Sequence, residues 1–201
     1  NCIVDDEAAK YASRQEILRR YYTACVERLQ GKNDDETVQR LELVMQQADV
    51  TTDVCPAVSA ALLKAETTKG PAGAMVLEDG RVITGKTSDT LGAASALLLN
   101  SLKAMGGIAD QFELISAQVL EPICNLKTNY LGHQNPRLHT DEVLIALSMC
   151  AATNPTADLA MEQLNKLWGC EVHSSVILSP VDENVLKKLG VNLTCEPRYK
   201  G

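Results

Sequence analysis

Aromatic side chains are scarce in this chain: they make up 3% of 201 residues, with one Trp (Trp168) and one Phe (Phe112). The core must therefore come from Leu, Val, Ile, Ala and Met, and the stacking platforms that hold single-stranded nucleic acid are lacking. Positive charge is short as well. Nineteen Lys and Arg against 26 Asp and Glu leave a net charge of -7, whereas a duplex binder needs a basic surface to displace counterions. Paired cysteines are missing: Cys2, Cys25, Cys55, Cys124, Cys150, Cys170 and Cys195 stand singly, with no Cys-x-x-Cys spacing. This points away from zinc and toward reduced thiols packed as small hydrophobes, as in cytoplasmic proteins. Long apolar runs are lacking too. The best stretch, residues 91–105, is broken by Ser95, Asn100, Ser101 and Lys103, so no membrane span is expected. The chain opens at Asn1 without an initiator Met and reads as a piece of a larger cytoplasmic protein. No metal, no cofactor, no nucleic-acid partner and no membrane partner are expected.

What remains is ordinary globular material, 45% hydrophobic and 22% charged, enough for a sizeable core. Residues 1–50 form a predicted helical hairpin. Tyr11, Leu18, Tyr22, Cys25 and Leu29 fall on one helical stripe, Gly31 stands at a C-terminal cap position, and Asn33 is placed to cap a second helix with an acidic first turn. Residues 51–201 change texture. A short helix from Pro56 precedes two strand-like runs (72–77 and 81–84) around the turn Glu78-Asp79-Gly80. An apolar helix over 89–105 follows, then a predicted strand at 112–115 and helices over 117–130 and 140–152. Asn154-Pro155 opens another helix. A strand over 172–178, a helix opened by Ser179-Pro180-Val181-Asp182, and a last strand over 191–195 complete the order. Strands alternating with helices predict an α/β fold: the hairpin subdomain, then a three-layer α/β/α sandwich. Its sheet is expected to be largely parallel and mixed only through the hairpin at its start. The element order resembles the cytidine-deaminase arrangement. The His-x-Glu and Pro-Cys-x-x-Cys signatures that hold zinc in those enzymes are missing, because the helix after the hairpin opens Ser88-Asp89-Thr90-Leu91.

Three polar strings carry potential chemistry. Gly80-Arg81-Val82-Ile83-Thr84-Gly85-Lys86-Thr87 matches the phosphate-loop pattern in letters, but its inner residues prefer a strand to a loop that wraps phosphates. A milder site at Lys86, Thr87 and Ser88 survives, since these residues leave a strand and enter a helix. The densest cluster is Asn135-Pro136-Arg137-Leu138-His139-Thr140-Asp141-Glu142. There Thr140 is explained as a cap, and Asp141 and Glu142 by the helix dipole. Arg137 and His139 have no such local explanation and, with Asn135, Thr140 and Asp141, are the candidate ligand-binding residues. Asp5-Asp6-Glu7 reads as an acidic helix start rather than a magnesium site, and His173 as a packed or edge residue of a strand rather than a ligand.

The strings Asn1-Cys2-Ile3-Val4-Asp5-Asp6-Glu7-Ala8, Ser13-Arg14-Gln15-Glu16-Ile17-Leu18-Arg19-Arg20-Tyr21-Tyr22-Thr23-Ala24, Asn135 through Leu147 and Val191-Asn192-Leu193-Thr194-Cys195-Glu196-Pro197 resemble the bacterial family known as domain of unknown function 1846. The resemblance covers nearly the whole chain. It implies the C-terminal part of a longer cytoplasmic protein, and hence an N-terminal domain as partner. It brings no established activity. Two functional readings follow. One is a ligand-binding or substrate-side domain for a small anion bearing phosphate or carboxylate. The other is a structural module, with the hairpin docking a partner and the protein a homo-oligomer. No complete catalytic set is present to decide for an enzyme.

Overall fold

The computed structural model describes residues 6–200. Helix α1 (Asp6–Leu29) starts on two acids that favour the positive end of its dipole, and it buries Gln15, Leu18, Tyr22, Ala24 and Cys25. Tyr11 and Leu29, the ends of the expected stripe, are exposed. Helix α2 (Asp35–Gln47) is capped by Asp34, whose carboxylate accepts the Thr37 N–H. The expected cap, Asn33, spends its Oδ1 on the Asp34 N–H instead. Helix α3 (Pro56–Thr68) begins at its proline as expected.

Strands β1 (Ala72–Val76) and β2 (Val82–Lys86) form the predicted hairpin. Gly80 supplies the positive φ (+82°) that its turn requires. Helices α4 (Ala93–Met105), α5 (Ala117–Asn129), α6 (Thr140–Ala151) and α7 (Pro155–Met161) follow, then β3 (Glu171–Ser174), α8 (Pro180–Lys188) and β4 (Asn192–Cys195).

The sheet order is β2-β1-β3-β4, with β1 antiparallel to both neighbours and only β3 and β4 parallel. The expectation of a largely parallel sheet is thus corrected. The hairpin inserts its first strand at the sheet centre, so both of that strand's pairings run antiparallel, and counting alternating elements cannot reveal such an insertion. The strand expected at 112–115 is not formed. Leu114 and Ile115 enter the core from a bend, and a short apolar run by itself cannot separate those outcomes.

Both sheet faces are covered. Met75 packs with Leu97, Leu98, Leu102, Val143 and Leu147 on one side. Ala74 packs with Leu18, Tyr22, Val58 and Ala61 on the other. The helical hairpin therefore shares a core with the sheet. Arg19 of α1 also pairs with Glu171 of β3 at 2.6 Å, and the Gln15 amide donates to the Val54 carbonyl at 2.6 Å.

One glycine disposes of the phosphate-loop match. The string lies largely in strand β2, and a Cβ on Gly85 would stand 2.2 Å from the Leu97 nitrogen. That glycine is required because the α4 backbone rests directly on the strand. Strands β2, β3 and β4 all run in one direction, so the segments 87–91, 175–179 and 196–200 leave the sheet at a common edge.

Candidate functional site

Three helices begin at that edge and are stitched together. A parallel bridge pairs Leu91 with Leu138. The Leu138 N–H donates to the Thr90 carbonyl at 2.8 Å, while the Leu138 carbonyl accepts the Gly92 N–H (3.2 Å) and the buried Ser95 hydroxyl (2.8 Å). These bonds set the start of α6 beside the start of α4. Helix α8 is joined through one carboxylate. Asp182 accepts the Thr140 N–H at 2.9 Å, the His139 Nδ1 at 2.9 Å and the Ser179 hydroxyl at 2.7 Å.

A buried lysine underlies the same junction. Lys127 of α5 is 2% exposed, and its ammonium donates to the Arg137 carbonyl (2.7 Å) and to Glu142 Oε2 (2.6 Å). That same oxygen accepts the His139 N–H at 2.8 Å. An ammonium withdrawn from water needs such saturation. It fixes the backbone on either side of Leu138, and so positions Arg137 and His139.

His139 is the residue left with capacity to spare. Its Nδ1 is committed to Asp182, Nε2 has no hydrogen-bond partner among the described residues, and the side chain is 35% exposed. The hydrogen bond to Asp182 raises the imidazole pKa above its ordinary value. Burial and Lys127 oppose this, and Glu142 adds to it. Asp182 is 7% exposed, and burial alone would raise its pKa. Hydrogen bonds from His139, the Thr140 N–H and Ser179 overcome that and hold its carboxyl below the usual range.

Arg137 spends Nε on the Ser88 carbonyl at 2.6 Å, and its N–H donates to Asn135 Oδ1 at 3.1 Å. With Asp89, Gln134, Asn135, Pro136 and Lys200 it lines an open recess of about 360 Å³. Ser88 belongs to this group through its carbonyl, and its hydroxyl accepts the Leu91 N–H. Thr87 does not join it: both its N–H and its hydroxyl donate to the Pro71 carbonyl. Lys86 is an exposed residue at the end of β2.

Thr140 is not the cap that the sequence suggested. His139 occupies the cap position, while Thr140 is the first helical residue, with a buried hydroxyl lacking a hydrogen-bond partner. The reason is the partners brought by the fold: Asp182 takes the Thr140 N–H, which has no partner inside the helix, and Glu142 reaches back to His139. Asp141 Oδ1 accepts the Glu142 N–H at 2.8 Å, a local role.

Sequence reasoning missed Lys127, Lys200 and the tie from Asp182 to His139. Ser179-Pro180-Val181-Asp182 was legible as a helix start, and Ser179 does cap α8. A long-range hydrogen bond leaves no local pattern. His173 is packed, as expected: it is fully buried, with Nδ1 at 2.8 Å from Thr194 Oγ1, Nε2 at 3.2 Å from Glu196 and its ring 4.8 Å from that of Tyr22. Asp5 lies outside the described residues, and Asp6 and Glu7 open α1. Among the described residues no three His, Cys, Asp or Glu side chains gather to hold a metal, and no helix is long and apolar enough to cross a membrane.

Comparison with known proteins places two family descriptions along the chain. Residues 1–49 match "Domain of unknown function DUF1846, N-terminal", and residues 53–201 match "Domain of unknown function DUF1846, C-terminal". The expectation that the chain holds only the C-terminal part is therefore corrected at its first 49 residues. The UPF0371 protein of Corynebacterium efficiens is 46% identical over 200 residues, covering 100% of this chain and 40% of that protein. Its counterpart in Corynebacterium aurimucosum is 48% identical over 198 residues (98% and 40%). A Streptococcus thermophilus UPF0371 protein is 45% identical over 198 residues (98% and 40%). The chain thus spans 40% of the length of these curated relatives.

Proposed function

The chain belongs to the DUF1846 family, and from that premise, which brings no chemistry with it, we propose that the junction of α4, α6 and α8 binds a small anionic molecule. Arg137 holds the anion, and the His139–Asp182 pair supplies or accepts a proton. The observation that carries this reading is the asymmetry of His139: Nδ1 is locked onto a buried carboxylate while Nε2 is left open at the surface. A carboxylate on one ring nitrogen fixes the tautomer and directs the other nitrogen outward, as in histidines that move protons. Arg137 uses one N–H on Ser88 and keeps its two terminal NH₂ groups for a bidentate acceptor such as phosphate or carboxylate. Any further catalytic groups would belong to the additional length that the relatives possess. The likeness in element order to cytidine deaminases adds nothing here, since the zinc-holding strings are missing from the sequence.

Sulfate is a suitable probe because its charge stays fixed across neutral pH. Calorimetry should show sulfate affinity falling about tenfold as the pH rises through the His139 titration, with Arg137→Ala removing the binding and His139→Gln removing its pH dependence. Affinity that ignores both substitutions would overturn the reading.

The hairpin favours a second role. Tyr11, Leu43 and Val44 are exposed, and a recess of about 520 Å³ between α1 and α2 is lined by Ala12, Ile17, Leu41 and Val44 among others. Residues 1–49 are also the part that matches the N-terminal family description. We propose that residues 1–50 form a docking element, distinct in role from 51–201, on which the additional length of the relatives rests. In a protein of that full length, hydrogen exchange over α2 should be slower than in the 201-residue chain. Equal rates would overturn this, and concentration-dependent slowing in the short chain would point to a second copy instead.

A further inference from the structure

A second recess opens at the same sheet edge and shares Lys200 with the first. It measures about 650 Å³, with Leu62, Pro71 and Val176 as apolar surface and Lys69, Arg198 and Tyr199 among its other residues. Such a volume and mixture suit a drug-sized ligand. The two recesses together carry Lys69, Arg137, Arg198 and Lys200 against Glu66 and Asp89, on a chain whose net charge is -7. The sign of charge is thus reversed within the two recesses. Aromatic rings are scarce throughout the chain, yet Tyr199 stands 60% exposed here. Its backbone leaves from a fixed base: the Glu196 N–H donates to the Ser174 carbonyl, the Ile177 N–H to the Arg198 carbonyl, and Arg198 Nε to the Ser175 carbonyl at 2.6 Å.

We propose that the two recesses take one phosphorylated ring compound of nucleotide size, its phosphate between Arg137 and Lys200 and its ring against Tyr199. This rests on the reading of Arg137 as an anion holder and adds the class of molecule. The small polar recess suits a charged head, and the larger recess offers apolar surface and a ring face for a flat body. Asp89 sits beside the proposed phosphate and opposes it, so the site holds its ligand below full strength.

The test is calorimetry on the 201-residue chain at one fixed pH, with inorganic phosphate, ribose phosphate, adenosine and adenosine monophosphate. Adenosine monophosphate should bind about tenfold more tightly than phosphate or ribose phosphate, the gain expected from one ring contact. Tyr199→Ala should erase that gain, and Tyr199→Phe should keep it. Lys200→Ala should weaken phosphate and nucleotide alike, and Asp89→Asn should tighten both. If nucleotide and phosphate bind equally, or the gain survives Tyr199→Ala, the ring assignment is overturned while the anion reading stands. If neither binds, both are overturned.

Discussion

Two histidines in this protein each face a carboxylate, and they have little else in common. His173 lies on the central strand β3 with both ring nitrogens taken, by Thr194 and Glu196, and with Tyr22 against its ring. Glu196 is held below the ordinary carboxylate range, first by its hydrogen bond to His173, and burial pushes the Tyr22 hydroxyl pKa up. Everything there is spent on the fold. His139 has the same kind of partner in Asp182, but it sits at a helix start on the sheet edge and keeps one nitrogen unspent. What separates a structural histidine from a candidate functional one is therefore its unused bonding capacity and access to solvent, since pairing with a carboxylate is common to both.

The largest expected effect tests the support beneath the open histidine. Lys127→Met removes the buried donor to Glu142 and to the Arg137 carbonyl while roughly keeping its volume. It should cost about 3–5 kcal/mol of unfolding free energy in denaturant titrations, because it leaves a partly buried carboxylate uncompensated. A loss below about 1 kcal/mol would show that the pair acts like a surface bridge.

Next, the same substitution at both histidines should separate them. His173→Gln should cost about 2 kcal/mol, because it takes a buried ring from the core and a hydrogen-bond partner from Glu196 and Thr194, and should leave anion affinity intact in the folded protein. His139→Gln should cost less than about 1 kcal/mol, since the group is partly exposed. Its cost should also vary with pH. The imidazole pKa is raised in the folded state, so its contribution is full at low pH and fades as pH rises through that raised value. The Asp182 pKa is lowered, so its own contribution fades as pH falls through the lowered value. The stability gap between wild type and His139→Gln should therefore be widest between these limits and close on the alkaline side. Denaturant midpoints measured along the pH axis decide this, and a gap independent of pH would place His139 with His173.

The smallest effect concerns the phosphate-loop string. Lys86→Ala, at an exposed position on β2, should leave both stability and adenosine monophosphate affinity unchanged within error. Gly85→Ala should instead cost about 1–3 kcal/mol, since the added carbon would press on the α4 backbone.

These contrasts also show what was legible in the sequence. The helices were largely readable because each has local punctuation: Pro56, the Asn154-Pro155 pair and the Ser179 cap all sit where their chemistry requires. Strand order was not readable, since the antiparallel pairing of β1 with β3 depends on where a hairpin inserts among distant segments. Within the candidate site, Arg137 and His139 stood out as polar residues with no local duty. Asp182 looked fully explained by a helix start, and nothing singled out Lys127 within the helix expected over 117–130. Their second partners lie 43 and 15 positions away, and no periodicity encodes such contacts.

The placement of α1 has a consequence for how the chain must fold. The first helix of the described chain covers its last strand, β4, and Arg19 meets Glu171 across 152 positions. During synthesis, Leu18 and Tyr22 can pack with Val58, Ala61 and Ala74 once these emerge, but Arg19 and the face of the Tyr22 ring that meets His173 must wait for β3 and β4. Contacts of such separation form slowly, and the waiting surface favours association with other unfinished chains. A chain ending just before β4 should therefore accumulate as aggregate, although it retains Arg137 and the His139–Asp182 pair.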